Sequence, residues 1–306
     1  MNKRQLGKSD LYVSELSLGC MSLGTDVHEA QKTIEAALDS GINYFDTADL
    51  YNEGLNEEII GKVLKGKRQD LILATKTGNR FEKGKDGWSW DPSKKHIQTA
   101  VKDSLRRLQT DYIDLYQLHG GTIEDNIDET IEAFEELKQE GVIRYYGISS
   151  IRPNVIREYV KRSSIINIMI QYSLLDRRPE EVFPLLKEHQ ISVVARGPIA
   201  KGILTNRPFS QMSNSIQQKG YLQYSYKELQ SLRSSFEKEL LQGRPMQAVA
   251  LQYCLSSPVV ASVVAGASSP TQVRDNVKAL HTADLTTIEL QWIKDQTKKN
   301  LYEQHR

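Results

Sequence analysis

The stretch Gly41-Ile42-Asn43-Tyr44-Phe45-Asp46-Thr47-Ala48-Asp49-Leu50-Tyr51 decides the reading of this chain. A short apolar run (Ile42, Tyr44, Phe45) stops at the carboxylate of Asp46, and a phenol, Tyr51, follows five residues later. Strand, acid and loop phenol is the order in which a barrel places reactive groups at the carboxyl ends of its strands. Two further apolar runs end in the same way. Leu71-Ile72-Leu73-Ala74-Thr75 runs into Lys76, and Tyr112-Ile113-Asp114-Leu115-Tyr116-Gln117-Leu118 runs into His119. If these three strand ends lie side by side, Asp46, Tyr51, Lys76 and His119 form one cluster.

Outward from this stretch the chain alternates short apolar runs with segments of helical period. The hairpin expected over residues 4–13, around Gly7-Lys8-Ser9-Asp10, precedes the first buried-type strand, Leu16-Ser17-Leu18-Gly19. A helical face follows each strand: Ala30, Ile34, Ala37 and Leu38; then Ile59, Ile60, Val63 and Leu64, with Asn56 as the expected N-cap; then Ile97, Val101 and Leu108 after Asp91-Pro92-Ser93; then Ile127, Ile131, Phe134 and Leu137. The second half repeats the rhythm with strands at 142–148, 165–170, 191–195 and 259–265. Strands separated by helices pair in parallel through right-handed crossovers and are buried on both faces. Eight such units most simply close into a (β/α)8 barrel, read here as one domain over residues 1–306 with an N-terminal hairpin and two extra helices, near 229–240 and 286–302. A doubly wound open sheet is the alternative, and no strand opens on the Gly-x-Gly-x-x-Gly turn that such a sheet uses for a dinucleotide. Two segments interrupt the rhythm on the carboxyl side: 77–92, holding Trp88 and Trp90, and 197–225. Both read as ligand loops or lids.

Composition narrows the function. Forty Lys and Arg stand against 39 Asp and Glu, a net charge of +1, so no global field recommends nucleic acid or an anionic membrane as partner. The two cysteines, Cys20 and Cys254, match no metal or redox spacing, and no apolar run reaches the ~18 residues of a membrane span. Cytoplasm is the expected compartment.

The four strand-end residues fit one chemistry. A tyrosine is a weak proton donor near neutrality, and an adjacent ammonium favours its phenolate. Lys76 is placed to supply that charge, Asp46 to hold Lys76, and His119 to hydrogen-bond a carbonyl oxygen against the Tyr51 hydroxyl. Hydride for such a carbonyl must come from a cofactor. The competing reading is a metal site of Asp46, Asp49 and His119, although of six histidines only His119 directly follows a strand.

Over nearly its whole length the sequence resembles the aldo-keto reductase superfamily, most closely bacterial members that share an origin with potassium-channel β-subunits. The resemblance is carried by Asp46-Thr47-Ala48-Asp49-Leu50-Tyr51, Ala74-Thr75-Lys76, Gln117-Leu118-His119, Gly147-Ile148-Ser149-Ser150, Gln171, Gly197 to Leu204, and Gly266-Ala267-Ser268 with Gln272 and Asn276. It implies Tyr51 as general acid, tuned by Lys76 and Asp46, with His119 orienting substrate. It also implies NADP(H) laid across the barrel mouth. Ser149 and Gln171 would hold the carboxamide and Asp46 would approach the ribose. Backbone near Gly197, Ile199 and Gly202 would meet the pyrophosphate, with Lys201 and Arg207 close by. Gly266, Ser268, Gln272 and Asn276 would take the adenosine end. Arg196 occupies a position where the family usually stacks an aromatic ring on the nicotinamide. Ser269 stands where a Lys or Arg commonly meets the 2′-phosphate, which leaves NADH open beside NADP(H). The implied partner is a small-molecule carbonyl compound, with Trp88 and Trp90 at its entrance. The implied assembly is a monomer or homo-oligomer, and a cofactor-binding regulatory module is the second functional class.

Overall fold

The computed structural model describes residues 1–306. An antiparallel hairpin pairs β1 (Lys3–Gln5) with β2 (Tyr12–Ser14). Then β3 (Leu16–Gly19) leads to α1 (Val27–Asp39), and β4 (Tyr44–Asp46) leads to α2 (Leu55–Leu64). From β5 (Ile72–Thr77) the chain reaches α3 (Lys94–Leu108) through a second hairpin, β6 (Asn79–Arg80) and β7 (Ser89–Trp90). Next, β8 (Ile113–Leu118) leads to α4 (Ile127–Gln139), β9 (Ile143–Ser149) to α5 (Pro153–Arg162), and β10 (Asn167–Gln171) to the short α6 (Phe183–Glu188). After β11 (Ser192–Arg196) come α7 (Asn214–Lys219), α8 (Tyr226–Glu239) and α9 (Met246–Leu255). The last elements are β12 (Val260–Gly266), α10 (Pro270–Leu280) and α11 (Thr287–Gln296).

The eight inner strands are parallel neighbours in chain order, and β12 pairs with β3 to close the ring. The fold is a (β/α)8 barrel. Its amino end is stoppered by the hairpin. Leu6, Leu11 and Val13 pack with the inward residues Tyr44, Ile72, Ala74, Leu115, Met169 and Val194. The carboxyl end has no such plug.

That inner cluster sets the parity of every strand, because side chains alternate with period two. On β5, Ile72 and Ala74 face in while Leu71 and Leu73 join the outer core against the helices, so Lys76 faces in. On β4, Tyr44 is inside and Phe45 outside, which turns Asp46 inward. The same count through Leu115, Tyr145, Met169 and Val194 points His119, Ser149, Gln171 and Arg196 into the mouth.

Several local expectations change. Asn56 is not the N-cap of α2; Gly54 holds that position without a side-chain cap. Instead Asn56 is fully buried, accepting a hydrogen bond from Thr47 Oγ1 at 2.6 Å and donating to the carbonyl of Cys20 at 2.8 Å. The 77–92 segment is no open loop but carries β6 and β7, and the 197–225 segment contains α7. The last helix ends at Gln296, short of residue 302. No helix is long and apolar enough to cross a membrane.

Candidate active site

The strand registers bring the four predicted residues together. Lys76 Nζ lies 2.6 Å from Asp46 Oδ1 and donates to the carbonyl of Thr47 at 2.6 Å. Its ammonium is 5.2 Å from the centre of the Tyr51 ring, and that ring meets His119 edge to face at 5.9 Å and 82°. The backbone N–H of His119 donates to the Thr77 carbonyl at 2.7 Å, so the His119 backbone is tied to the strand that carries Lys76.

Residues behind the barrel wall hold this arrangement. Asp46 and Lys76 face inward while their neighbours Thr47 and Thr75 face outward, where the first turn of α2 meets them. Asn56 takes the Thr47 hydroxyl, and Glu57 takes the Thr75 hydroxyl at 2.6 Å while pairing with Arg107 at 2.7 Å. Both α2 side chains are fully buried. A buried carboxylate between a hydroxyl and a guanidinium is satisfied on both oxygens, which locks the strands beneath the site. Sequence reading missed this role. The signal was there, since Asn56 precedes Ile60 by four residues and Glu57 precedes Leu64 by seven, both on the helix face that packs inward.

Tyr51 is presented by a strained turn. Asn52, Glu53 and Gly54 have φ of 50°, 53° and 88°, a left-handed run that two non-glycine residues rarely enter. Asn52 and Glu53 each cost on the order of 1 kcal/mol, the kind of local strain concentrated at functional sites, whereas Gly54 enters this region freely. Glu53 repays part of it by accepting the Gly84 N–H at 2.8 Å, which fastens the turn to the loop between β6 and β7.

Electrostatics separates the four groups. Burial drives His119 from 6.5 down to about 3, helped by the charges of Lys76 and Arg196, so the imidazole is neutral across the physiological range. Burial opposes the Lys76 ammonium, yet Asp46 and Tyr51 outweigh it and hold its pKa above the ordinary lysine range. Burial likewise raises Asp46, against the pull of Lys76. Lys76 therefore keeps its proton. For Tyr51 the expectation of a depressed pKa is corrected: Lys76 does pull it down, but burial is the larger effect and the phenol ends above its usual value. Tyr51 therefore keeps its proton until attacked.

The remaining predicted residues divide. Gln171 and Arg196 are paired in register at the ends of β10 and β11, and Arg196 Nη1 donates to Gln171 Oε1 at 3.2 Å. Gly197 and Gly202 have φ of 67° and 90°, conformations that glycine adopts freely, and nothing lies within 4 Å of an added Cβ at Gly202. Ile199 is half-buried, and Lys201 and Arg207 are exposed on the same loop. Ser149 is half-buried at the end of β9, while Ser150 is buried and caps Arg152 N with its hydroxyl at 3.2 Å. Beyond β12, an added Cβ at Gly266 would meet Ser22 Oγ at 2.6 Å. Ser268 donates to Gln272 Oε1 at 2.9 Å, and Ser269 caps α10 by accepting from Gln272 N. Asn276 lies deeper in α10 and accepts from Gln247. Trp90 is half-buried against Gly78 and Gly120, with its indole N–H on Asp125 at 3.0 Å, whereas Trp88 is 59% exposed. Asp49 is buried, with the charges of Glu57, Arg107 and Lys76 as its neighbours.

A nicotinamide dinucleotide fits these residues. Asp46 Oδ2 is buried at the mouth without a protein partner, as a ribose hydroxyl would require. The open backbone at Gly197 and Gly202, flanked by Lys201 and Arg207, suits a pyrophosphate.

The Aldo/keto reductase family model matches residues 15–296, and the chain belongs to that family. It is 60% identical over 306 residues, all of both chains, to the uncharacterized oxidoreductase YqkF of Bacillus subtilis (strain 168). A solved structure, aldo-keto reductase AKR11C1 from Bacillus halodurans in its holo form, is 65% identical with a TM-score of 0.95, over 100% of this chain and 99% of that one. A probable voltage-gated potassium channel subunit beta of Oryza sativa subsp. japonica is 29% identical over 95% of this chain and 94% of its own.

Proposed function

We propose that this oxidoreductase reduces aldehydes or ketones to alcohols with NADP(H), using Tyr51 as the proton donor. The carrying observation is the buried Lys76 ammonium, 2.6 Å from Asp46 Oδ1 and 5.2 Å from the Tyr51 ring, with neutral His119 against the ring edge. A bound nicotinamide would supply hydride to the carbonyl carbon. The chain supplies the rest. His119, uncharged, donates a hydrogen bond to the carbonyl oxygen and sets it beside the Tyr51 hydroxyl. As negative charge develops on that oxygen, Tyr51 delivers its proton, and Lys76 stabilises the phenolate left behind. Asp46 keeps Lys76 charged and aimed. Ser149 and Gln171 hold the carboxamide, the 197–207 loop holds the pyrophosphate, and Ser268, Gln272 and Asn276 hold the adenosine end. With Ser269 committed to its helix cap, NADH is the competing cofactor. Trp90 borders the carbonyl entrance, Trp88 its outer rim. The compartment in this reading is the cytoplasm, and the whole chain acts as one domain.

The test follows NADPH, and separately NADH, by absorbance with a panel of aldehydes, on wild type and on Tyr51→Phe. Loss of turnover by about 10²–10⁴-fold in the variant, with cofactor binding intact, supports the reading. The similarity to a channel subunit favours a second reading, a cofactor-binding sensor with little turnover. Tight NADPH binding by wild type with no turnover on any aldehyde would select it.

A further inference from the structure

Behind the barrel mouth a second layer of charge meets the site. A tight turn after β10, closed by mutual backbone hydrogen bonds between Ser173 and Asp176, brings the Asp176 side chain back against Gln171. Asp176 is fully buried. Arg178 grips it with a fork, Nε to Oδ1 at 2.7 Å and Nη2 to Oδ2 at 2.7 Å, and itself lies 4.7 Å from the Tyr302 ring centre. A carboxylate held this way can only accept hydrogen bonds. The Gln171 amide beside it therefore has one tolerable orientation. Its NH₂ donates to Asp176 Oδ2 at 2.8 Å and to Tyr221 Oη at 3.2 Å, and its carbonyl is left facing Arg196. The reverse orientation would set two oxygens against each other inside the protein. Arg196 uses one lone pair of that carbonyl, and a second remains.

We propose that Asp176, braced by Arg178, is a positioning residue that fixes the polarity of the Gln171 amide, so that the mouth offers a hydrogen-bond acceptor to the ring substituent of the cofactor. The inference rests on the reading of the mouth as a nicotinamide site and adds a specificity to it. The site selects a ring carrying an N–H donor, as a carboxamide does, over one carrying only a carbonyl.

Binding of NADP⁺ and of its 3-acetylpyridine analogue, which lacks the amide N–H, would be measured by calorimetry on wild type and on Asp176→Asn. Wild type should prefer NADP⁺ by about tenfold, the effect of one unmet hydrogen bond. The amide introduced by Asp176→Asn keeps one oxygen for three donors, two from Arg178 and one from Gln171, so the bond that holds the Gln171 amide weakens and its carbonyl is no longer fixed toward the mouth. The preference should shrink toward unity, with NADP⁺ binding weakened and the analogue's much less so. Equal weakening of both ligands with the preference kept, or no preference in wild type, overturns the inference while leaving the nicotinamide site standing. Failure of wild type to bind either dinucleotide overturns the nicotinamide reading and this inference with it. Should Asp176→Asn not fold, Arg178→Lys keeps the charge and loses the fork. The inference then requires the preference to narrow part of the way, and an unchanged preference overturns it.

Discussion

Acid should find His119 before it finds most of the fold. Its imidazole is held neutral inside the barrel mouth, lowered from 6.5 to about 3 by burial and by the neighbouring charges of Lys76 and Arg196. In the unfolded chain the same imidazole protonates near 6.5. Between these values the unfolded state binds the extra proton, so the neutral imidazole adds stability above pH 6.5 that is lost as pH falls toward 3. At pH 4.5 the unfolded histidine is two units below its pKa and the folded one still neutral. At about 1.36 kcal/mol per unit, less the small fraction already protonated at pH 7, the loss is about 2.5 kcal/mol. The assay is urea unfolding of wild type and His119→Asn at pH 7 and at pH 4.5. Every carboxylate contributes to both proteins alike, so the difference between their pH dependences isolates this residue. Wild type should lose about 2.5 kcal/mol more than the variant across that interval. Parallel losses would refute the claim that His119 is kept neutral by its surroundings.

Three further outcomes follow from the same geometry. Because His119 titrates near 3 and Tyr51 above its ordinary value of 10.0, the rate of aldehyde reduction should be flat between about pH 5 and pH 9, falling only when Tyr51 loses its proton. An inflection near 6.5 in a steady-state profile would count against that assignment. Lys76→Met strands the buried carboxylate of Asp46 and should cost roughly 3–5 kcal/mol by chemical denaturation, with part of the loss recovered when Asp46→Leu is added. An undiminished cost in the double variant would mean that packing, not charge, dominates. Gly61→Ala should destabilise although alanine is favoured by about 1 kcal/mol in a helix interior. An added Cβ would sit 2.5 Å from the carbonyl oxygen of Arg107, where α2 crosses the end of α3. A fall in Tm equivalent to about 1–3 kcal/mol is expected, and a rise would show that the helices part easily.

The sequence by itself determined the barrel and the inward row at its mouth. Eight apolar runs with helices between them leave little choice but parallel pairing, and each run that ended in a polar residue named a group for the carboxyl face. Asp46, Lys76 and His119 could be read this way because a strand's period of two is short enough that a few residues fix which side faces in. Local chemistry was legible for the same reason. Ser93 caps α3, and the Gly-rich 197–202 stretch turns through left-handed backbone.

What only the tertiary structure decided depends on partners far away in the chain. Asn56 reads locally as a helix cap, yet it is drawn inward by Thr47 and by the Cys20 carbonyl, 36 residues earlier. The Tyr51 phenol was expected to be acidified by a lysine, and the direction reversed because desolvation depends on how much protein surrounds the ring, which no spacing records. Asp176 sits five residues from Gln171 with no periodicity to mark it, and only the turn after β10 shows that its carboxylate reaches back. Periodicity carries the information that hydrophobic burial needs. Hydrogen bonds and buried charges are settled by which groups the closed barrel finally brings within three ångströms.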